Sequence, residues 1–302
     1  FKQKTAYEIR LSLVGSEMCI RDSTLPGEPP IRHYEDRRPL AVTDDLVIVP
    51  TEHALHVLDA RTLAPREGPP LDPPEASARR FASAAARGRW VVAGAGQSAP
   101  SDSERGLPGE DRDFEKMAGH GELHLWDLTT GRRRSVGVPL PSTVIAVALD
   151  GSEPPRVALG LYSGILSVWS GDNEPPVGVA GPGAALPATN ATAEFSRYGV
   201  SLAHSGHIYG VAFDRDGRLL SSSSGYTLGD PMNEVRVWSP DRAPVGRLSA
   251  ILRGPRALAF SPDGARLLVG VWTIFDGWTG AEVWDVKTLE LEASCAGRRC
   301  RQ

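Results

Sequence analysis

The stretch Gly121-Glu-Leu-His-Leu-Trp-Asp127 decides the fold, because the same seven-residue phrase returns along the chain. It recurs as Gly164-Ile-Leu-Ser-Val-Trp-Ser170, as Asn233-Glu-Val-Arg-Val-Trp-Ser239 and, one residue shorter, as Gly280-Ala-Glu-Val-Trp-Asp285. A weaker copy, Ala54-Leu-His-Val-Leu-Asp59, carries Leu where the others carry Trp. Aliphatic and polar residues alternate in each copy, and a period of two indicates a strand with two unlike faces. The recurrence predicts an array of similar units.

Two further short strand candidates precede each phrase, and a fourth strand is expected after it. In chain order the candidates are 39–43, 46–50 and 54–59; 81–85, 90–94 and 122–127; 144–149, 156–161 and 165–170; 208–213, 218–222 and 234–238; and 257–260, 266–271 and 281–285. Asp214-Arg-Asp-Gly217 and Ser261-Pro-Asp-Gly264 are typical of tight turns between the first two strands of a unit. Helical periodicity is nearly absent, so we predict an all-β fold.

The spacing of the phrases points to a known architecture. Their ends lie 43 residues apart between Asp127 and Ser170 and 46 apart between Ser239 and Asp285, which fits a four-stranded propeller blade. The best-matching stretch is Ala203-His-Ser-Gly-His-Ile-Tyr-Gly-Val-Ala-Phe-Asp-Arg-Asp-Gly217. With these motifs the chain resembles the WD-repeat β-propeller family over about residues 39–294. The resemblance implies antiparallel blades at about 39–66, 80–138, 142–180, 204–248 and 255–294, after an irregular lead-in at 24–38 and before a tail at 295–302.

The resemblance also implies roles for individual residues. The blade signature of the family falls on Trp126, Asp127, Trp169, Trp284 and Asp285. His204 takes the place of the family's buried His, although Ala203 stands where the family has Gly. The family joins that His to a strand Ser or Thr, a turn Asp and the Trp, for which the candidates here are Ser222 or its neighbour Ser221, Asp230 and Trp238. The other blades lack the His, so this network is expected only in the fourth.

Five recognisable blades are fewer than the seven that are usual in this family. A propeller ring closes so that no blade face stays open. An open face of the order of 400 Å² would forgo about 10 kcal/mol at about 25 cal/mol/Å², which is a typical domain's whole stability. Either five blades close as a small ring, or the chain is a fragment of a seven-bladed ring. We favour the fragment.

Residues 1–23 do not read like the rest of the chain. Two of the four lysines, Lys2 and Lys4, fall in this stretch, whereas the remainder uses Arg and is rich in Ala, Gly and Pro, as in a GC-rich genome. Back-translation of 2–9 and 15–22 resembles sequencing-adapter ends, so we predict an artefact of translation that takes no part in the fold. The sequence leaves open whether Cys295 and Cys300 form one late disulfide.

Long connections are expected at one end of the blades and short ones at the other. In an up-and-down blade, the turns after the second and the fourth strands lie at the same end. The excursions at 96–120, 223–232 and 272–279 follow second strands, and those at 65–79 and 181–201 follow fourth strands. One face of the disc is therefore predicted to carry the loops, and loops on a rigid scaffold are where binding residues collect.

The strongest binding candidate is Trp272-Thr-Ile-Phe-Asp-Gly-Trp278, in which three aromatic residues accompany one acid. Aromatic anchors suit protein interfaces. The predicted binding residues are Trp272, Phe275, Asp276 and Trp278, with Tyr226 as a further member. The alternative is structural: one Trp packs over the central channel and the other rings cover neighbouring loops.

No motif for a catalytic centre, metal or cofactor stands out. Asp214-Arg-Asp-Gly217 lacks the oxygen ligands of a calcium loop, His204 and His207 lack a third metal ligand, and Gly94-Ala-Gly96 lacks the following helix of a dinucleotide site. Small Arg clusters in a chain of net charge −4 indicate solvated surface rather than nucleic-acid binding. No apolar run approaches the roughly 18 residues of a membrane-spanning helix.

We therefore predict a non-catalytic bacterial scaffold that binds a protein or peptide on the loop-bearing face, without a cofactor. Two other classes stay open. A propeller enzyme of hydrolase, lactonase or quinoprotein type would need convergent His, Asp or Glu at the channel mouth, and no repeated set of these residues is seen. A sensor module of a larger signalling protein is the other class. The cytoplasm is the favoured compartment, and the oligomeric state is not indicated.

Overall fold

Five antiparallel sheets follow one another along the chain in the computed structural model. The described residues are 40–50, 54–66, 71, 80–96, 118–136, 140–170, 177–178, 203–204, 206–224, 233–248, 254–261, 263–272, 279–296 and 299–301. Residues 1–39, which include the predicted artefact and the lead-in, lie outside this part. So do most residues of the five long excursions.

The described residues form 21 strands and no helix. Blades 1 and 2 contain β1 Ala41–Val42, β2 Leu46–Pro50, β3 Leu55–Asp59, β4 Arg80–Arg87, β5 Trp90–Gly96, β6 Ala118–Asp127, β7 Arg132–Ser135 and β8 Leu140–Ser142. Blades 3 and 4 contain β9 Val144–Leu149, β10 Val157–Leu161, β11 Leu166–Trp169, β12 Val177–Gly178, β13 His207–Phe213, β14 Leu219–Ser224, β15 Glu234–Trp238 and β16 Pro244–Arg247. Blade 5 contains β17 Gly254–Phe260, β18 Arg266–Trp272, β19 Thr279–Asp285, β20 Leu291–Ala296 and β21 Arg299–Arg301.

Each sheet is an up-and-down meander, and the repeated phrase is always its third strand. The strand orders are β1-β2-β3, β4-β5-β6-β7 with β8 beside β6, β9-β10-β11-β12, β13-β14-β15-β16 and β17-β18-β19-β20-β21. Among the described residues of blade 1, isolated bridges from Leu58 to Pro65 and from Leu55 to Leu71 stand in the place of an outer strand. The prediction of an all-β propeller built from antiparallel blades is confirmed. Among the described residues, no helix has the length and apolar character needed to cross a membrane.

In the four phrases that carry Trp, this side chain packs against the preceding blade. Trp126 shares a core cluster with residues of blade 1, and Trp169, Trp238 and Trp284 do the same with blades 2, 3 and 4. These four side chains are at most 2% exposed. Because a Trp buries roughly 150–250 Å², each contributes roughly 4–6 kcal/mol of transfer free energy at about 25 cal/mol/Å². The phrase therefore supplies the contact that joins successive blades.

The first strands of neighbouring blades form the inner wall of the propeller. Strand β4 contacts β9, β9 contacts β13, and β13 contacts β17. The connections between first and second strands are short and lie at one end, where Gly88, Gly217 and Gly264 adopt positive φ. The second strands end at the opposite end, and three of the long excursions leave from there.

Within the segment 295–302, which was predicted to be a tail, residues 295–296 and 299–301 belong to strands of blade 5. Strand β20 continues to Ala296, and β21 pairs with it as an extra outer strand of blade 5. Cys295 is disulfide-bonded, and Cys300 is its register partner across the hairpin. The sequence could not predict β21, because three residues, Arg-Cys-Arg, are too few for a period of two to be recognised.

Candidate interaction site on the loop-bearing face

Most of the predicted binding residues lie outside the described part of the chain. This holds for Tyr226, Phe275, Asp276 and Trp278. Trp272 is the last residue of β18, where its backbone is in register with Gly254 at the start of β17. The segment with the aromatic candidates therefore leaves blade 5 beside the inner wall, at the loop-bearing end.

A buried hydrogen-bond network surrounds His204 between blades 3 and 4. His204 Nε2 lies 2.7 Å from Ser221 Oγ and His204 Nδ1 lies 2.8 Å from Glu234 Oε1. Trp238 Nε1 donates to Ser221 Oγ at 2.8 Å. A carboxylate accepts only, so Nδ1 donates to Glu234, and the Ser221 hydroxyl donates to Nε2 of the neutral ring. The network is thus a directed chain from Trp238 to Glu234.

Of the two serines expected as candidates for this network, Ser221 takes the position beside His204, whereas Ser222 points its hydroxyl toward the Gly210 carbonyl at 3.5 Å. Successive strand residues face opposite sides of the sheet, so only one of the two serines can reach His204. Asp230 lies outside the described residues. Glu234 supplies the carboxylate that contacts His204.

The charges around His204 are balanced locally. Burial lowers the pKa of His204, although the Glu234 carboxylate opposes this effect. Burial also opposes ionisation of Glu234, but hydrogen bonds from His204 and Arg236 outweigh it and hold the pKa of Glu234 below its usual value. Arg236 Nε donates to Glu234 at 2.9 Å, and Arg236 donates a second hydrogen bond to the Ala203 carbonyl at 2.7 Å. A buried network whose members are all satisfied rigidifies the interface between the two blades.

The first strand of each of blades 2 to 5 contains a one-residue bulge near the loop-bearing end. The ladder register skips one residue between Phe81 and Ser83 in β4, and the same irregularity occurs in β9, β13 and β17. The residues left outside the ladder register, here called the bulge row, are Ala82, Ile145, Tyr209 and Arg256. In each of these blades the bulge lies opposite the end of the second strand, within two residues of that strand's last residue.

The bulge row turns side chains of the inner wall away from the packed interfaces. In blades 2, 3 and 4 the bulge residue is half-buried, whereas the residues on both sides of it are buried. Bulges occur beside functional sites because they re-aim one side chain without breaking the sheet. The row begins with the apolar residues Ala82 and Ile145 and continues with Tyr209 and Arg256. The inner wall therefore presents apolar, aromatic and cationic groups one after another.

Tyr209 and Arg256 belong to a stack that crosses three blades. Arg256 Cζ lies 3.6 Å from the centre of the Tyr209 ring. His207 meets Tyr209 edge to face at 5.9 Å and stacks on Tyr162 of blade 3 at 3.7 Å with an interplanar angle of 19°. His207 Nδ1 also donates a hydrogen bond to the Tyr162 carbonyl. A guanidinium over a tyrosine face is an attractive contact worth about 0.5–2 kcal/mol.

Burial and the nearby positive charge keep His207 neutral. Burial lowers its pKa, the Arg256 guanidinium lowers it further, and the hydrogen bond to the Tyr162 carbonyl acts in the opposite direction. The stack therefore carries its positive charge on Arg256. Sequence reasoning missed this arrangement, because its members lie in three different blades and two of them are set by bulges.

The described residues contain no group of three or more His, Cys, Asp or Glu side chains arranged to hold a metal ion. His204 and His207 are three residues apart but face different partners, Ser221 and Tyr162. Both histidines are thus engaged within the protein.

Comparison with known proteins supports the fold. No family model and no curated protein matches the chain. A chain in the crystal structure of a mitotic checkpoint complex is similar over 85% of this chain and 65% of its own length, with a TM-score of 0.57 and 15% identity. This chain therefore spans just under two thirds of the chain it matches.

A chain of hydrazine synthase from Kuenenia stuttgartiensis is similar over 58% of this chain and 43% of its own length, with a TM-score of 0.43 and 16% identity. Together with the five meanders and the buried Trp in four of the repeated phrases, the likeness to the checkpoint-complex chain shows that this chain folds as a β-propeller.

Proposed function

We propose that the protein is a non-catalytic interaction scaffold that binds a protein or peptide segment over the bulge row on its loop-bearing face. The single observation that carries this proposal is the bulge row itself. Four blades present one re-aimed side chain each at the same level of the inner wall. A continuous polypeptide crossing this wall would meet Ile145, Tyr209 and Arg256 in turn.

The chemistry of the row suits a protein ligand better than a small polar metabolite. Tyr and Arg are the residue types that dominate binding energy at protein interfaces, because they combine apolar area with directed polar groups. The stack of Tyr162, His207, Tyr209 and Arg256 is held by contacts across three blades, so little side-chain entropy remains to be lost on binding.

The aromatic loop candidates would extend this surface. The segment with Phe275, Asp276 and Trp278 leaves the sheet at Trp272, opposite the start of β17 in which Arg256 lies. The segment with Tyr226 leaves after Ser224, whose register partner is His207. Both segments thus begin beside the bulge row, and we assign them to the same binding face.

A selection of displayed peptides tests the proposal without knowledge of the natural partner. A random peptide library is panned on the purified chain, and the affinity of selected peptides is measured on variants. We expect the double substitution Tyr209→Ala with Arg256→Ala to weaken binding at least about tenfold, since two interface anchors are lost. Joint replacement of Trp272, Phe275 and Trp278 by Ala is expected to weaken it as well.

The matched control is Arg133→Ala, which removes an exposed Arg from the outer strand β7. It should leave the affinity unchanged. Peptides that bind the double variant as tightly as the unaltered chain, or that lose affinity only with Arg133→Ala, would remove the bulge row from the binding surface.

A further inference from the structure

Each blade has one face turned toward the blade that follows it in the chain. In blade 5 this face differs from the corresponding face of every blade before it. The described residues form four core clusters, and each joins two successive blades: 1 with 2, 2 with 3, 3 with 4 and 4 with 5. No cluster of described residues joins blade 5 to blade 1. Within the part of the chain that the structure describes, one face of blade 5 therefore has no neighbouring blade packed on it, unlike the equivalent faces of the other blades.

Equivalent rows of residues make the comparison quantitative. In blade 4 the register aligns Ala212, Leu220 and Val237 across three strands. Blade 5 packs on this face, and the three residues are 9%, 2% and 1% exposed. Blades 2 and 3 have the same row with central residues Val92 and Ala158, both 0% exposed.

The row of blade 5 consists of Ala259, Leu268 and Val283. Ala259 is exposed, and Leu268 and Val283 are only partly buried. The composition of the row is as apolar as in the other blades. Only its covering differs.

The glycines of the second strands give the same result. A Cβ built on Gly94 would lie 2.5 Å from Val144 Cγ1 of the next blade, and one built on Gly160 would lie 2.4 Å from Ile208 Cγ2 of the next blade. Each glycine is thus a hole that receives an aliphatic side chain from the following first strand. Gly270 occupies the same register position in blade 5, and a Cβ there would meet only Ala257 of its own blade, at 3.3 Å.

We propose that this face of blade 5 is an inter-blade interface, and that its occupant is a further four-stranded blade of the same protein. The first strand of that blade would place an aliphatic side chain over Gly270, as Val144 and Ile208 do over Gly94 and Gly160. The equivalent faces of blades 2, 3 and 4 all pack against the following blade. The proposal goes beyond the proposed function and does not depend on it.

The matched pair Val237→Ala and Val283→Ala tests the proposal. In the chain of 302 residues, Val237→Ala is expected to lower the melting temperature by about 5–10 °C, because it opens a cavity between two blades. Val283→Ala should change the melting temperature by less than about 2 °C. Val283→Lys should reduce the binding of a fluorescent apolar dye without unfolding the chain.

The second arm places both substitutions in the protein translated from the complete reading frame of the gene. There Val283→Ala should become as destabilising as Val237→Ala, since a blade then covers it. If Val283→Ala is already equally destabilising in the 302-residue chain, or stays neutral in the second arm, the proposal is overturned. A concentration-dependent dimer in sedimentation that Val283→Lys abolishes would also overturn it, because a second copy would then be the occupant.

Discussion

Ser221 joins the two polar groups that His204 and Trp238 bring into the interface between blades 3 and 4. It accepts from Trp238 Nε1 and donates to His204 Nε2, and it is 0% exposed. A buried indole N–H and a buried imidazole nitrogen would each cost free energy if left without a partner. One small hydroxyl therefore decides whether two larger side chains can stay buried.

Replacement of Ser221 by Ala is expected to lower the free energy of unfolding by about 2–4 kcal/mol, because two buried polar groups lose their partner. Urea denaturation followed by Trp fluorescence measures this loss. Ser222→Ala is the control, since Ser222 is equally buried but makes only the 3.5 Å contact with Gly210, and it should cost less than about 1 kcal/mol. Equal losses in the two variants would contradict the assigned network.

The buried histidines predict how stability depends on pH. The pKa values of His204 and His207 are lowered in the folded protein, mainly by burial. The unfolded chain therefore binds protons at these sites at a higher pH than the folded protein does, and stability falls as the pH drops below about 6.5. Urea midpoints at pH 8 and pH 5.5 measure the effect.

His207→Gln should reduce the loss of stability between pH 8 and pH 5.5, because it removes one of the two titrating groups. Glu234 and Asp150 have lowered pKa values, so their contribution to stability is complete above the ordinary pKa of a carboxyl group and is lost as the pH falls through that value and below it. Stability that stays flat between pH 8 and pH 5.5 in the unaltered chain would show that neither histidine is buried in its neutral form.

At the scale of the element, the Asp that ends the phrase shapes the turn after the third strand. Asp285 Oδ1 accepts from the backbone N–H groups of Lys287 and Thr288, and Asp59 accepts in the same way two and three residues on. The turn then requires one residue in the left-handed region. Gly131 fills it in blade 2, whereas Leu63 and Leu289 fill it in blades 1 and 5. In blade 4 the phrase ends in Ser239 instead of Asp, and Arg242 is the residue of that turn with positive φ, at 68°.

Arg242→Gly is therefore expected to raise the free energy of unfolding by about 0.5–1 kcal/mol, because glycine adopts this conformation without the strain of a Cβ. Gly131→Ala should lower it by about 1 kcal/mol for the same reason. Thermal unfolding measures both. A loss of stability in Arg242→Gly would mean that the Arg side chain contributes more than its backbone costs.

The strands could be predicted largely because each has its own local signal. Segments 46–50, 144–149 and 234–238 were predicted with the bounds that the structure shows, since alternation and flanking turn residues define both ends. The bulge row could not be predicted, because Tyr209 and Arg256 look like ordinary strand residues and the bulge is set by pairing with the neighbouring strand. The choice between Ser221 and Ser222 likewise depended on which face of β14 meets blade 3.

At the scale of the whole molecule, the two ends of the propeller are built differently. Tight turns with buried carboxylates close one end: Asp150 binds Arg156, and Asp214 binds Arg218, each through Nε at 2.6 Å. The other end carries the bulge row and the points from which the long excursions leave. The separation follows from the up-and-down order of each sheet, and it places rigid structure and binding candidates at opposite ends.

An experimentally determined structure of the chain, by crystallography or electron microscopy, tests the arrangement of blades and loops most directly. We predict that each of the four phrase tryptophans, Trp126, Trp169, Trp238 and Trp284, lies against the preceding blade. We also predict that the excursions after β5, β14 and β18 lie at one end, above Ile145, Tyr209 and Arg256. Excursions distributed over both ends, or Trp-bearing strands at the outer edge of their sheets, would contradict it.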